Sequence, residues 1–401
     1  MSDHTLPSSA VAPAISSTDV AGLLGLRDVA QAAAIPAITV ERIDVAGYAA
    51  WGQAFNELCA RAATPNPFMS PATVDAARLL ISDDELVVLA ARNMQAQGHP
   101  LVGIWAMRRT RDLWSLGIEV LQSPCVPRFD CLGTPVLDAS MPGAAFDALI
   151  SHVLKSNDLP RLIRVTSWLE SMTPLLPGTT SIHRDERWSR AVLAPNEATD
   201  AESSLKASMG SGYKKRMAQE RALTRAGAVR HEALRQDKAL AAFGSFLALE
   251  QRGWKGKAGT ALADVPDDAA YMQACLRSFA RNDALCVDIL RLDDEPIAIG
   301  IVVEAGMANI FWKTAFDETF AKNSPGVLLD MAVTRRLFAE GRPVLDSGMM
   351  EFTDPATQIW SGRMDMARAV IDLGAGLQGG LVRLGHRLRH RLRVLQRRFN
   401  R

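Results

Sequence analysis

The chain has 401 residues, more than one ordinary hydrophobic core holds, so two domains are expected. With 48% hydrophobic and 22% charged residues, it has the composition of a globular protein and not of a disordered one. Its 45 basic and 44 acidic residues nearly cancel, which argues against DNA or another nucleic acid as the main partner of the whole chain.

Residues 1–36 are rich in Ala, Ser and Pro and lack a basic start followed by an apolar run. They are therefore expected to form a flexible N-terminal tail and not a signal peptide. The chain has no uninterrupted apolar run of about 18 residues, so no membrane span is predicted.

The five cysteines form no CxxC pair and have no histidine partner at metal-binding spacing. Such cysteines are typical of reduced, packed thiols in a cytosolic protein. The seven histidines are scattered and form no HExxH motif, so no metal site is predicted. We expect a cytoplasmic location.

Residues 37–200 have the pattern of a first α/β unit. An alternating strand at 37–44 precedes a helix at about 46–62, and Ser70-Pro71 begins a second helix with a capping residue and a proline at the first position. Three strand-like runs follow, ELVVLAARN, HPLVGIWAMRR and LWSLGIEVL. Pro142-Gly143 then precedes a further helix and a strand.

A basic helix is predicted over residues 201–226, between the two halves. Its stretch SLKASMGSGYKKRMAQERALTRAG carries six Lys or Arg residues and one acid, Glu220. Such a run is usually a solvated helix face, and its functional alternative is a contact with an anionic substrate.

Residues 227–374 repeat the element order of the first half. Helices at about 236–252 and 268–282 precede three strand-like runs, ALCVDILRL, EPIAIGIVVEAG and MANIFWKTAF. A helix beginning at SPGVLLDMAV and a strand at RPVLDSG follow, so Pro325-Gly326 holds the place of Pro142-Gly143. This order predicts an α/β fold with mixed α+β sheets and helices on both faces.

A resemblance to known proteins rests on four stretches: GYKKRMAQERALTRAG in the linker, LALEQRGW (247–254), FWKTAFDETFAKNSPGVLLDMAV (311–333) and VLDSGMMEFTDPATQIW (344–360). The second half resembles the GNAT acyltransferase fold. Roughly residues 37–373 resemble the two-domain FemAB-like branch that includes the CelD-type cellulose-biosynthesis acetyltransferases. The resemblance implies tandem GNAT-like domains: a degenerate one at 37–200 that shapes an acceptor groove, and an acyl-CoA-binding catalytic one at 227–374.

The stretch Ser324-Pro325-Gly326 directly precedes an apolar helix, and two interpretations are open. Pro325 starts the helix simply because its missing N–H would be unpaired there, or Gly326 keeps the helix N-terminus bare for an anion. In place of the family's glycine-rich phosphate loop (Q/R-x-x-G-x-G/A) stand residues 322–326. The resemblance implies that the acyl-CoA pyrophosphate binds at Lys322, Ser324, Gly326, Val327 and Leu328.

The equivalent Pro142-Gly143 start follows Asp138 and has no nearby lysine, so we expect no anion there. An acyl transfer from a thioester needs a proton acceptor, and carboxylates at strand ends are candidates. Asp346 is the first candidate base and Asp317 the second. The alternative is that each caps a turn.

Acceptor contacts are predicted at Lys313, Tyr213, Lys214 and Arg216. Lys313 lies on an apolar strand, where an unpaired lysine is costly, so it faces either a phosphate or acceptor or a structural carboxylate. The other three lie on the basic linker helix.

Residues 375–401 are predicted to form a basic amphipathic helix. Leucines recur every three or four residues from Leu377 to Leu395, with Phe399 continuing the stripe, and eight arginines follow residue 382. Such a helix docks on an anionic membrane, which would place the protein peripherally at the inner face. The alternative is that the stripe packs on the body or on another subunit.

The leading functional hypothesis is an acyltransferase that moves an acetyl or other acyl group from acyl-CoA to an amine or hydroxyl of a cell-envelope or polysaccharide precursor. A second is a FemAB-like transferase that uses aminoacyl-tRNA. A third is a catalytically silent scaffold of a polysaccharide-synthesis complex.

Overall fold

The computed structural model describes residues 37–124, 129–194, 200–306, 308–342, 344–349 and 355–399. The predicted N-terminal tail lies outside the described residues. None of the helices in these ranges has an apolar stretch long enough to cross a membrane.

The strands are β1 Ile38–Ile43, β2 Leu86–Asn93, β3 Leu101–Thr110, β4 Val120–Gln122, β5 Val136–Leu137, β6 Leu162–Leu169, β7 Ser181–Leu193, β8 Val229–Arg235, β9 Leu285–Leu292, β10 Glu295–Ala305, β11 Ala308–Phe316, β12 Leu345–Asp346 and β13 Gly362–Asp372.

The α-helices are α1 Val45–Tyr48, α2 Gly52–Ala60, α3 Pro71–Ala77, α4 Pro142–Lys155, α5 Ala201–Met209, α6 Ser211–Ala226, α7 Gln236–Arg252, α8 Trp254–Lys257, α9 Pro266–Arg281, α10 Pro325–Ala339 and α11 Leu377–Phe399. Short 3-10 helices lie at Ala49–Trp51, Pro67–Met69, Leu113–Ser115, Glu170–Leu175, Leu262–Asp264, Glu318–Asn323 and Pro355–Gln358.

Prolines mark where several helices begin. Pro71, Pro142, Pro266 and Pro325 all occupy the first helical turn, where the missing N–H costs no hydrogen bond. The predicted cap at Ser70 is confirmed, because its hydroxyl accepts from the N–H of Thr73.

The predicted linker helix at 201–226 is interrupted. It consists of α5 and α6, separated at Gly210, whose φ of 54° and ψ of −127° suit only a residue without a Cβ. The sign of this break in the sequence is Gly210-Ser211-Gly212, since glycine is unfavourable inside a helix, although the basic residues continue across it.

The described strands form one mixed sheet of 13 strands, with the order β1-β2-β3-β4-β6-β13-β7-β12-β11-β10-β9-β8 and with β5 beside β3. Neighbouring strands are antiparallel in this part of the chain except at β4–β6 and β11–β12. The predicted α/β fold with a mixed sheet is confirmed.

The last strand of each half lies in the other half. β7 ends the first half but pairs with β12 of the second, and β13 ends the second half but pairs with β6 of the first. β7 and β13 pair with each other at the middle of the sheet. The two halves therefore exchange their last strands.

Both halves also contribute to one hydrophobic core. Helix α3 of the first half packs on α9 of the second. The rings of Phe129 and Tyr271 stack with centroids 5.6 Å apart, and the indole N–H of Trp312 donates to the carbonyl oxygen of Phe129 at 3.3 Å. The domain boundaries expected from the sequence remain a prediction, since the sheet and this core continue across them.

Candidate active site

Strands β11 and β12 part at the middle of the second half. They pair in parallel only where Asn309 faces Leu345 and Ile310 faces Asp346, and β11 then continues without β12 to Phe316. In this same stretch β11 has a β-bulge against β10, centred on Trp312. Gaps at the carboxyl ends of parallel strands, and bulges, are frequent at binding sites.

Helix α10 begins beside Phe316, the last residue of β11, in the part of the strand that has no β12 partner. The 3-10 helix Glu318–Asn323 leads from β11 to Ser324, which adopts the left-handed conformation (φ 52°, ψ 56°) and makes no side-chain cap. Pro325 has no N–H, and Leu328 already donates to the carbonyl oxygen of Ser324 at 3.1 Å. Of the predicted backbone donors, the N–H groups of Gly326 and Val327 therefore remain for an anion, and that of Leu328 does not.

The basic helix α6 docks on this helix start. Arg216 donates from Nη1 to the Ser324 hydroxyl at 2.9 Å. Gln219 donates from Nε2 to the carbonyl oxygen of Lys322 at 2.7 Å and to the Ser324 hydroxyl at 3.1 Å. Arg216 was predicted from the sequence to contact the acyl acceptor, and the structure places it against the loop predicted to bind acyl-CoA. Its charge adds to the positive end of the α10 dipole.

The other predicted basic and aromatic site residues are exposed to solvent or contact a different part of the structure. Lys322 and Lys214 are exposed. Tyr213 donates its hydroxyl to Glu202, a bond that raises the pKa of the phenol, and the ammonium of Lys206 lies 5.6 Å from the ring centroid. Tyr213 therefore helps to hold α5 against α6.

Asp346 forms a buried ion pair with Arg190. The Arg190 side chain lies on β7, is 0% exposed, and also donates from Nη1 to the carbonyl oxygen of Cys131 at 2.7 Å. The second oxygen of Asp346 accepts from the N–H of Gly348 at 2.9 Å. Sequence reasoning missed Arg190, although an arginine in the otherwise apolar strand end RAVL is a sign of a buried partner.

Asp317 and Lys313 lie further along the same chain segment. Asp317 caps the 3-10 helix by accepting from the N–H and the hydroxyl of Thr319, at 2.9 and 2.6 Å. Lys313 is half-buried beside the bulge, and its ammonium lies 4.7 Å from the centroid of the Phe129 ring, within range of a cation–π contact.

A cavity of about 510 Å³ lies behind the first turns of α10. Its lining includes Leu328, Glu220 of α6, His231 of the edge strand β8, and Arg335 and Arg336 of α10. Fully buried Asp288 accepts from His231 and from Arg336 at 2.8 Å. Burial alone would raise the pKa of Asp288, but the His231 bond and the Arg336 charge hold it below its usual value. The sequence pattern did not indicate this cluster.

The corresponding gap in the first half is filled by the chain itself. β4 and β6 pair only at two positions, and Gly133 then donates its N–H to the carbonyl oxygen of Ser167 at 3.0 Å. The hydroxyl of Ser167 donates to the Asp130 carbonyl oxygen at 2.7 Å. A Cβ at Gly133 would stand 2.6 Å from Cγ1 of Val165, so the loop fits tightly there.

Within the described residues, no group of three or more His, Cys, Asp and Glu side chains is arranged to hold a metal ion.

Residues 211–353 match the sequence model of the acetyltransferase (GNAT) domain family. A search of curated proteins found no match.

Three solved structures share the fold across most of the chain. FemX superposes with a TM-score of 0.54 at 8% identity, covering 83% of this chain and 97% of its own. A conserved protein of unknown function from Bacteroides thetaiotaomicron gives 0.52 at 10% identity, covering 84% and 99%.

The third is the C-terminal (DUF2156) domain of a protein from Agrobacterium fabrum described as a lysylphosphatidylglycerol synthetase. It gives a TM-score of 0.51 at 12% identity, covering 83% of this chain and 95% of its own. Residues 211–353 are thus similar to the acetyltransferase (GNAT) domain family, and the overall fold of the chain is similar to that of FemX.

Proposed function

We propose that this protein is an acyl-CoA-dependent acyltransferase whose acceptor is an amine or hydroxyl of a cell-envelope or polysaccharide precursor, as in the CelD-type branch. One observation carries the proposal. The start of α10 has no side-chain cap, lies beside the end of β11 that has no β12 partner, and has the Arg216 guanidinium next to it, all within the segment that matches the GNAT domain.

The residues present fit an anionic donor. Free N–H groups at a helix start and the helix dipole favour an anion by about 0.3–1 kcal/mol per contact, and by up to ~2 when partly buried. Gly326 and Val327 offer such groups, Arg216 adds a fixed positive charge, and exposed Lys322 lies one turn before. These residues would hold the pyrophosphate of acyl-CoA, and Ser324 would orient Arg216.

The reaction asks little of side chains, because a thioester is already activated. The acceptor nitrogen or oxygen attacks the carbonyl carbon of the thioester, the carbon–sulfur bond breaks, the CoA thiolate leaves, and a base takes the acceptor proton. We propose Asp346 as that base, since it lies where the strands part, with Asp317 as the second candidate. Lys313, beside the bulge, would contact the acceptor or a phosphate.

Two alternatives have an observation in their favour. The shared fold with FemX and the basic helix α6 favour a FemAB-like transferase that uses aminoacyl-tRNA. Asp346 forms an ion pair with Arg190, and Asp317 accepts a hydrogen bond from Thr319. These contacts favour a catalytically silent scaffold that keeps only the binding site.

Mass spectrometry of the purified protein under native conditions tests the proposal, together with release of free thiol from acetyl-CoA in the presence of polyamine, amino-sugar and alcohol acceptors. The proposal expects a co-purifying CoA species and acceptor-dependent thiol release. Turnover that requires charged tRNA would assign the second function. CoA binding without thiol release from any acyl-CoA would assign the third.

A further inference from the structure

Helix α11 is attached to the body by one narrow face. Val382 is fully buried against Val120, Leu162 and Val370. Arg383 pairs with Asp372 at 2.7 Å, and Gly379 lies so close to Asp372 that a Cβ there would stand 2.0 Å from its Oδ2. The helix is therefore fixed on the sheet by Gly379, Val382 and Arg383.

The leucine stripe of the same helix does not take part in this contact. Its members are Leu377, Leu381, Leu384, Leu388 and Leu392, exposed by 90, 48, 50, 46 and 50%. They follow the spacing of one helix face over about 22 Å, at 1.5 Å per residue. The expectation that the stripe packs on the body therefore does not describe these leucines.

A second element adds apolar surface beside the helix. The 3-10 helix Leu113–Ser115 of the first half contacts α11. Leu113 is 74% exposed and Leu116, just after it, is 44% exposed. Two elements that are far apart in sequence thus present leucines to solvent on the same part of the molecule.

The charged side chains of helix α11 itself have one sign. After Asp372 the sequence contains eight arginines and no acid. Arg387 is exposed next to the leucine stripe, and Arg389 is half-buried near Asp112. Since the chain has a net charge of +1, the rest of it is acidic, and the positive charge is concentrated at this end.

We propose that α11, together with Leu113 and Leu116, is a docking surface for an anionic lipid bilayer. A helix that lies in the interface inserts leucines between the acyl chains while arginines contact the lipid phosphates, which is the combination found here. This surface is separate from the acyl-donor site, and the proposal holds whichever reaction that site performs.

Co-sedimentation with vesicles tests the proposal in the full chain. We expect binding to vesicles of phosphatidylcholine and phosphatidylglycerol at low salt, much less binding at high salt, and little binding to phosphatidylcholine alone. Leu384→Asp/Leu388→Asp should weaken binding at least about tenfold, and Leu113→Asp should weaken it measurably, because each places a charge in the acyl layer.

The control is Leu79→Asp, at a leucine that is 59% exposed on another part of the surface and should bind vesicles like the unchanged protein. All these leucines are exposed, so the thermal unfolding midpoints should match. Equal binding by the double variant, or no binding to anionic vesicles by any form, would overturn the proposal. Self-association of the unchanged protein that the double variant loses, without vesicle binding, would instead assign this surface to a second copy of the chain.

Discussion

Arg190 and Asp346 meet where the exchanged strand β7 pairs with β12, and the guanidinium is shielded from water on all sides. Removing one partner of such a pair leaves a buried charge and costs about 3–5 kcal/mol. We therefore expect Asp346→Asn to lower the free energy of unfolding by this amount, measured by urea denaturation, in addition to any effect on turnover.

The double variant Arg190→Gln/Asp346→Asn separates the two roles of Asp346. Both charges are then absent, so most of the lost stability should return. If Asp346 is the base, turnover of the double variant stays at least about 100-fold below that of the unchanged protein. Full turnover in the refolded double variant would leave Asp346 with a structural role alone.

The buried carboxyl of Asp130 should make the free energy of unfolding depend on pH. Burial raises the pKa of its carboxyl to about 6, above the value of 3.8 expected in the unfolded chain. The folded state thus holds more protons on this carboxyl between these values, and the contribution of Asp130 to stability falls as pH rises from about 4 to about 6, by about 3 kcal/mol. Asp130→Asn should lack this decline, so urea denaturation across that range should show the variant more stable at pH 7 and equal near pH 4. Parallel pH profiles would contradict the assignment.

Local contacts of single residues were predictable from the sequence, and distant ones were not. Ser70 and Pro71 act within one helical turn, so their spacing was enough to predict the cap. Arg190 and Asp346 are 156 positions apart, and their contact depends on a strand exchange that no local pattern encodes. The same holds for the cluster of His231, Asp288 and Arg336.

At the scale of elements, the contact of α6 with the start of α10 carries the donor site. Arg216→Ala should weaken acyl-CoA binding about tenfold or more, because hydrogen bonds with a charged group contribute about 1.5–3 kcal/mol. The matched control is Arg225→Ala, an exposed arginine at the far end of the same helix, which should bind like the unchanged protein. Calorimetric titration with acyl-CoA checks both variants. Equal losses of affinity would mean that α6 contributes only through its overall positive charge.

The type and order of the elements followed from periodicity, whereas their ends depended on tertiary contacts. Helix α7 has the predicted bounds of 236–252 because an apolar face and a terminal glycine define it locally. The strand predicted at RPVLDSG is the short β12, Leu345–Asp346, whose place between β7 and β11 depends on the strand exchange. The break at Gly210 gave no periodic signal.

At the scale of the whole molecule, the repeated element order was predictable, but the exchange of β7 and β13 was not. The exchange has a thermodynamic consequence, because neither half has a complete sheet without the other. We expect one cooperative unfolding transition, with the calorimetric enthalpy equal to the van't Hoff enthalpy. Two separate transitions would show that the halves fold as independent domains, as the sequence alone suggested.

The central claim is that the bare start of α10 binds the anionic part of acyl-CoA. A Cβ at Gly326 would lie 3.5 Å from Cδ1 of Phe316, an ordinary contact, so a side chain there leaves the fold intact. Gly326→Glu and Gly326→Gln add nearly the same bulk and differ in charge. Calorimetric titration with acetyl-CoA decides the claim. We predict that Gly326→Gln weakens binding and that Gly326→Glu abolishes it, with unchanged unfolding midpoints. Equal affinity in Gly326→Glu and the unchanged protein would contradict the claim and leave Pro325 as an ordinary helix start.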